Sequence, residues 1–232
     1  MKIQKNLRTL ASKKKAEILS RFFKTGPGQY GEGDVFLGIT VPQIRKTAKI
    51  FGDLELPQVK KLLRSKYHEE RMAALLILVA QFKKGDDKVK KRVFDIYLSN
   101  TRHINNWDLI DLTAEHIIGK YLEDKPKILL YKLARSKSLW ERRIAMLSTF
   151  TYIKAGRCEE TLKIAQILLN DGHDLIHKAV GWMLREVGKR CSTAKEEAFL
   201  KEHYKKMPRT MLRYAIERFP EKTRLRYLKG QI

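Results

Sequence analysis

Apolar residues recur at helical intervals along almost the whole chain, and no alternating apolar–polar run is long enough to build a sheet. From Leu7 to Phe23 the apolar positions fall three and four apart, with Ala16, Leu19, Phe22 and Phe23 on adjoining turns, which predicts a first helix. The stretch from Thr25 to Asp34, which holds Gly26, Pro27, Gly28, Gly31 and Gly33, breaks that pattern. A short apolar plug, Phe36-Leu37-Gly38-Ile39, follows. Thr40-Val41-Pro42 then reads as an N-cap with proline in the first turn, opening a helix through Ala48 and Phe51. Beyond it, breaks at Gly52-Asp53, Ser65-Lys66, Gly85-Asp86, Ser99-Asn100, Asp124-Lys125-Pro126, Ser136-Lys137, Gly156, Asp171-Gly172 and Ser192-Thr193 separate segments of about 10 to 18 residues, the length of ordinary helices.

Stacking the longer segments at Arg71, Trp107, Arg143, Lys178 and Arg213 gives separations of 107−71=36, 143−107=36, 178−143=35 and 213−178=35. A period near 35 marks a helical repeat array. Ala73, Ala145 and Ala215 lie two places beyond their arginines, where small side chains let neighbouring helices approach. Tetratricopeptide and ankyrin signatures are missing. The pattern therefore predicts an all-α, HEAT-like solenoid of helix pairs, forming a single domain over residues 1–232. Four of the five registered positions are basic, which predicts a positive stripe along a concave surface.

Composition adds a partner to this picture. The 232 residues carry 49 Lys plus Arg against 26 Asp plus Glu, a formal charge of +23, and the excess runs through the whole chain. Such a balance points to a polyanion, with nucleic acid ahead of a merely solvated basic surface. At 43% apolar residues the chain can bury a sizeable core. Cys158 and Cys191 are the only cysteines, too few for a disulfide framework or a cysteine-rich zinc site, so a reducing compartment fits. The amino-terminal residues lack an apolar signal core, and no run approaches the ~20 apolar residues of a membrane span. The expectation is a cytoplasmic protein without a membrane partner.

Two clusters carry candidate chemistry. Trp107 and Asp111 are four apart and share a helical face, beside an apolar stripe of Ile110, Ala114, Ile117 and Tyr121. A carboxylate at the edge of such a stripe is costly unless paired or used. A structural ion pair and a catalytic role both fit. The residues three and four places away, Trp107, Asp108, Ala114 and Glu115, include no base. In the second cluster Lys178, Trp182, Arg185 and Lys189 follow helical spacing beside Ile176, Val180, Met183 and Val187. Cations with an indole between them suit phosphate neutralisation and base stacking, while an ordinary core tryptophan is the alternative. An acid near two aromatics on a cationic surface suits hydrolysis of a glycosidic bond through a cationic sugar. No P-loop pattern and no His-Glu-x-x-His occurs, and the six histidines lack zinc-ligand spacing, so no metal site is predicted.

These segments together resemble one family, the AlkD-like alkylpurine DNA glycosylases of the DNA alkylation repair group. The resemblance is carried by Tyr30-Gly31-Glu32-Gly33-Asp34-Val35-Phe36-Leu37-Gly38-Ile39 with Pro42 and Arg45, by Trp107-Asp108-Leu109-Ile110-Asp111, by Trp140-Glu141-Arg142-Arg143, and by Lys178 to Glu186. It implies excision of ring-alkylated cationic purines such as 7-methylguanine and 3-methyladenine from double-stranded DNA, without a cofactor, by a monomer that does not need to extrude the base into a deep pocket. It maps the catalytic aspartate to Asp111 and the DNA-facing tryptophans to Trp107 and Trp182. The DNA-contacting arginine maps most simply to Arg143, with Arg142 as the alternative, and a tyrosine maps to Tyr30, whose neighbours Glu32 and Asp34 would repel phosphates if they faced them. Arg71, Lys178, Arg185 and Arg213 complete the expected DNA-binding set. A non-catalytic HEAT-like DNA-binding module and a protein-interaction scaffold are the competing readings. The first would be expected without the acid or the tryptophans, the second with an apolar or acidic concave face.

Overall fold

The computed structural model describes residues 1–232, and it is all-helical. The chain divides into two compact units, residues 1–117 and 118–232. The first contains α1 (Lys2–Thr9), α2 (Lys13–Phe22), α3 (Val41–Ile50), α4 (Leu56–Leu63), α5 (His68–Lys84), α6 (Asp87–Leu98) and α7 (Trp107–Asp111). The second contains α8 (Ile128–Ala134), α9 (Leu139–Ser148), α10 (Phe150–Lys154), α11 (Glu159–Ile167), α12 (Asp174–Arg190), α13 (Thr193–His203), α14 (Arg209–Ala215) and α15 (Glu221–Lys229). No helix is long and apolar enough to cross a membrane.

Each unit is built around one 17-residue helix. In the first, α3, α4 and α6 all pack on α5, so α5 buries Met72, Ala73, Ala74, Leu75, Ile77 and Leu78 along its whole girth. In the second, α9, α13 and α14 pack on α12, whose inward stripe is Ile176, Val180, Met183 and Val187, as the periodicity predicts. Gly181 lets α14 come close: a Cβ there would lie 2.4 Å from the carbonyl oxygen of Met211.

The first helix expected from Leu7 to Phe23 is in fact two. Ile3 and Leu7 on α1 are fully buried, and the chain then turns so that Ser12, with an extended backbone, caps α2 through its side chain. The backbone N–H of Ser12 also donates to the Leu37 carbonyl (2.8 Å), tying the break to the apolar plug. An apolar period continues across this break, although α1 buries its apolar residues Ile3 and Leu7 while Ile18 and Phe22 of α2 stay exposed. The α3 start is as expected: Gln43 Oε1 accepts from the Thr40 backbone N–H (3.0 Å) and from its hydroxyl (2.7 Å).

The repeat is real but its register shifts by one residue. Arg71 donates to the carbonyls of Ser65 and Lys66, while Ser65 donates to Glu70 (2.6 Å). In the second unit Arg142 donates to the carbonyls of Ser136 and Lys137, while Ser136 donates to Glu141 (2.6 Å). Arg71 therefore corresponds to Arg142, not Arg143, with 142−71=71 residues for two repeats. Ala74 and Ala145, both fully buried, become the equivalent small residues.

Candidate active site

The first unit holds a pocket of about 570 Å³ lined by Ile18, Leu19 and Phe22 of α2 and Phe23 just after it, by Phe36 and the 38–41 segment, by Ile44 of α3, His68 and Met72 of α5, and Trp107, Asp108 and Asp111 of α7. Its walls are largely apolar, and its polar groups are concentrated at the α5 and α7 ends. Trp107, half-buried, stacks on Phe23 (ring centroids 5.2 Å) and meets Phe22 edge-on (6.0 Å). Phe22 is itself 61% exposed, although an aromatic side chain normally gains by burial. The predicted pair Trp107 and Asp111 thus lines one cavity. A larger hollow of about 940 Å³ among α3, α4, α5 and α6 is rimmed by Arg45, Lys49, Lys83 and Lys84, but it has no histidine or aromatic ring in its wall and offers no comparable chemistry.

Sequence reasoning missed the charged core beneath the pocket. The first four residues of α5, His68-Glu69-Glu70-Arg71, are all buried, which is tolerable only because each is paired. Glu69 accepts from the backbone N–H groups of Leu37, Gly38 and Ile39 at 2.9, 2.8 and 3.2 Å, holding the plug against α5. Glu70 accepts from Gln4 (2.8 Å), Arg8 (3.1 Å) and Ser65 (2.6 Å). His68 Nδ1 lies 3.1 Å from Asp34 Oδ2 and its Nε2 lies 2.9 Å from Asp108 Oδ2, and the ring packs against the mutually stacked rings of Phe36 and Phe23. Asp34 also accepts from Arg71 Nη2 (2.5 Å) and from Asn105 and Asn106 (3.3 Å each). Four consecutive ionisable residues opening a long apolar helix, after a loop with its own acid, were the available signal.

The electrostatics follow from this pairing. Burial would lower the His68 pKa, but the charge and hydrogen bond of Asp108 and the hydrogen bond to Asp34 outweigh it, while Arg71 opposes them, and the net value is about 9. Burial would raise the Asp34 pKa, but the His68 hydrogen bond, the Arg71 and His68 charges and the Asn106 amide prevail and hold it below the usual carboxylate value.

Arg71 corrects the expected basic stripe: it is only 4% exposed, and its guanidinium is turned inward to Asp34 and two carbonyls because a buried carboxylate requires a countercharge. Arg143 is 5% exposed and donates from Nη1 to the Leu175 carbonyl (2.5 Å). Arg142 is half-buried and bound to Asp171 (2.6 Å). Asp34, expected to repel phosphates beside Tyr30, faces the interior, and Glu32 accepts from the Gly28 N–H (2.9 Å). Tyr30 is half-buried, with Lys24 Nζ 6.0 Å from its ring centroid. Of the α7 stripe, Ile110, Ala114 and Ile117 are fully buried, whereas Tyr121 is half-buried.

In the second unit, α12 presents Lys178, Trp182 and Arg185, each half-buried. Trp182 lies 6.0 Å from Phe150, Lys178 pairs with Asp174 (2.7 Å), and Arg185 donates to Glu217. Arg213 on α14 and Lys189 at the end of α12 are exposed.

A family model described as DNA alkylation repair enzyme matches residues 3–219. A solved structure from Enterococcus faecalis, described as a predicted DNA alkylation repair enzyme, is similar in fold, with a TM-score of 0.68 and 15% identity over 91% of this chain and 97% of that one. No curated protein matches the chain in sequence.

Proposed function

The chain belongs to the DNA alkylation repair enzyme family, and on that premise we propose that it is a monofunctional DNA glycosylase hydrolysing the N-glycosidic bond of cationic alkylated purines, such as 7-methylguanine and 3-methyladenine, in duplex DNA. The observation that carries this reading is the shared pocket of Trp107 and Asp111, an indole and a carboxylate in one apolar wall. As the bond breaks, positive charge moves from the base to the sugar. A carboxylate set in an apolar wall stabilises that charge, and can orient the attacking water. A base that already carries a positive charge leaves without prior protonation by the protein, so one acid suffices. The aromatic faces of Trp107 and Phe22 offer a further attraction for a cation.

In the second unit, Lys178, Trp182, Arg185 and Arg213 supply DNA contacts in this reading. Arg185 reaches phosphate by exchanging Glu217, its present partner.

Release of base from duplex DNA containing 7-methylguanine tests the proposal. Asp111→Asn keeps the shape and removes the charge, so excision in single turnover should fall by roughly 10²-fold or more while binding to undamaged DNA persists. Wild-type protein that binds DNA without releasing base would instead identify a non-catalytic binding module.

A further inference from the structure

The helix that carries Trp107 and Asp111 is too short to place them by its own hydrogen bonds. α7 has five residues, and the bonds that frame it are long: Ile110 N–H to the Asn106 carbonyl at 3.4 Å and Leu112 N–H to the Asp108 carbonyl at 3.3 Å. Its position is set by side chains. Asn106 caps it, accepting from the Trp107 N–H (2.9 Å), and Asn105 and Asn106 both donate to Asp34. From inside α7, Asp108 reaches His68, whose other nitrogen returns to the same Asp34. The chain Asp34–His68–Asp108 is therefore closed through the cap of α7.

A neutral imidazole has one N–H and could donate to one of these carboxylates, leaving a lone pair facing the other. For two ionised carboxylates both to accept from it, the ring must carry both protons. Asp34 from the loop, Asp108 from α7 and Arg71 from His68's own helix are the charged groups that face it. Glu69 beside it is turned to the 37–39 backbone, and the rings of Phe36 and Phe23 pack against the imidazole.

We propose that His68 is the positioning residue of this site, a bridging imidazolium that fixes α7 and so presents Trp107 and Asp111 to the lesion. The inference rests on the glycosylase reading above and extends it to the Tyr30–Ile39 loop, whose contribution is Asp34. Loss of the His68 proton leaves two carboxylates around a ring with one donor, and α7 loses one of its anchors. Excision consequently has an alkaline limit set by a buried residue that acts through α7.

The test compares wild type with His68→Gln, a side chain of similar reach that holds one carboxylate at a time and does not titrate. Released base is quantified in single turnover from pH 6.5 to 10, so that alkaline scission of abasic sites is not counted and titration of the lesion itself cancels in the ratio. At pH 7.5 the wild type should be roughly tenfold to a hundredfold faster, with unchanged DNA affinity, the scale of a small misplacement of reacting groups. The ratio should shrink towards one above about pH 9. Independently, two-bond ¹H–¹⁵N spectra should show both His68 nitrogens protonated at pH 8. If His68→Gln does not fold, Asp34→Asn, which keeps the acceptor oxygen but drops the charge, takes its place in the same profile. A neutral ring at pH 8, equal rates at pH 7.5, or a ratio independent of pH overturns the inference. Wild type that releases no base overturns the glycosylase reading, and the inference with it, whatever the spectra show.

Discussion

His68 keeps its proton because two carboxylates more than compensate for burial, and this makes the residue a stability element as well as a site element. Its folded pKa of about 9 lies above the value near 6.5 expected for an unfolded chain, so its contribution is complete below about pH 6.5 and disappears as pH rises through about 9. That difference corresponds to roughly 3 kcal/mol at the acidic end of the window. Asp34 acts in the opposite sense: its lowered pKa contributes above the normal carboxylate value and is lost as pH falls below it. Thermal unfolding should therefore show a melting temperature that declines between pH 6.5 and 9, and the decline should be shallower in His68→Gln. Trp182 poses a different question, since it is half-buried beside Phe150 on a helix whose core is filled by Val180, Met183 and Val187. Trp182→Ala should thus lower lesion binding or excision at least ~10-fold while costing only ~1–2 kcal/mol of stability, less than a fully buried tryptophan would. A collapse of the fold in a thermal scan would assign Trp182 to the core. Trp107 and Asp111 were legible in sequence because aromatic and acid sit one helical turn apart. Asp34, His68 and Asp108 were not, because their pairing links residues 34 and 40 positions apart and leaves no local period. Arg71 misled for a related reason: at a repeat position, a base turned inward to a carboxylate has the same letter as one turned out to solvent.

At the level of elements, periodicity identified helices well and their ends less well. It ran across the break between α1 and α2, where the decisive fact is a bond from Ser12 to Leu37, and it extended α7 past its true end at Asp111. Beyond α7 the chain turns and then forms a wider π-helical turn over Glu115–Gly119, in which the apolar spacing of Ala114 and Ile117 still looks regular. The loop before α3 was legible as a break but not as a structural part. Gly38 shows what holds it: its φ is +82°, and a Cβ there would lie 2.1 Å from the Ser12 carbonyl oxygen and 2.6 Å from the Ala16 nitrogen. Gly38→Ala combines a disfavoured backbone with a backbone clash, so it should cost at least ~2 kcal/mol in denaturant unfolding and weaken the site by displacing the segment that Glu69 clasps. Unchanged stability would mean that the plug can move away from α2 without loss.

For the whole chain, the formal charge of +23 is the property most directly tied to DNA. If about six phosphates are neutralised, a plot of log affinity against log salt should slope at about −5, and binding that does not change between low and moderate salt would remove electrostatics as the driving force. The charge was legible from composition, but its placement only in part, since Arg71 and Arg143 are consumed inside the protein whereas Arg213, at its expected repeat position, and Lys189 are exposed. Asp34 also has a consequence in time. Its four donors come from residues 34, 37, 71 and 72 positions further along, whereas the Ser65–Glu70–Arg71 clamp closes within seven residues. Closing long loops is entropically slower than closing short ones, so the clamp should form early and the Asp34 centre late. On heating, the sequence reverses: the pocket should open in a local transition before the helices melt, and the temperature at which activity is lost should lie below the temperature at which the fold is lost.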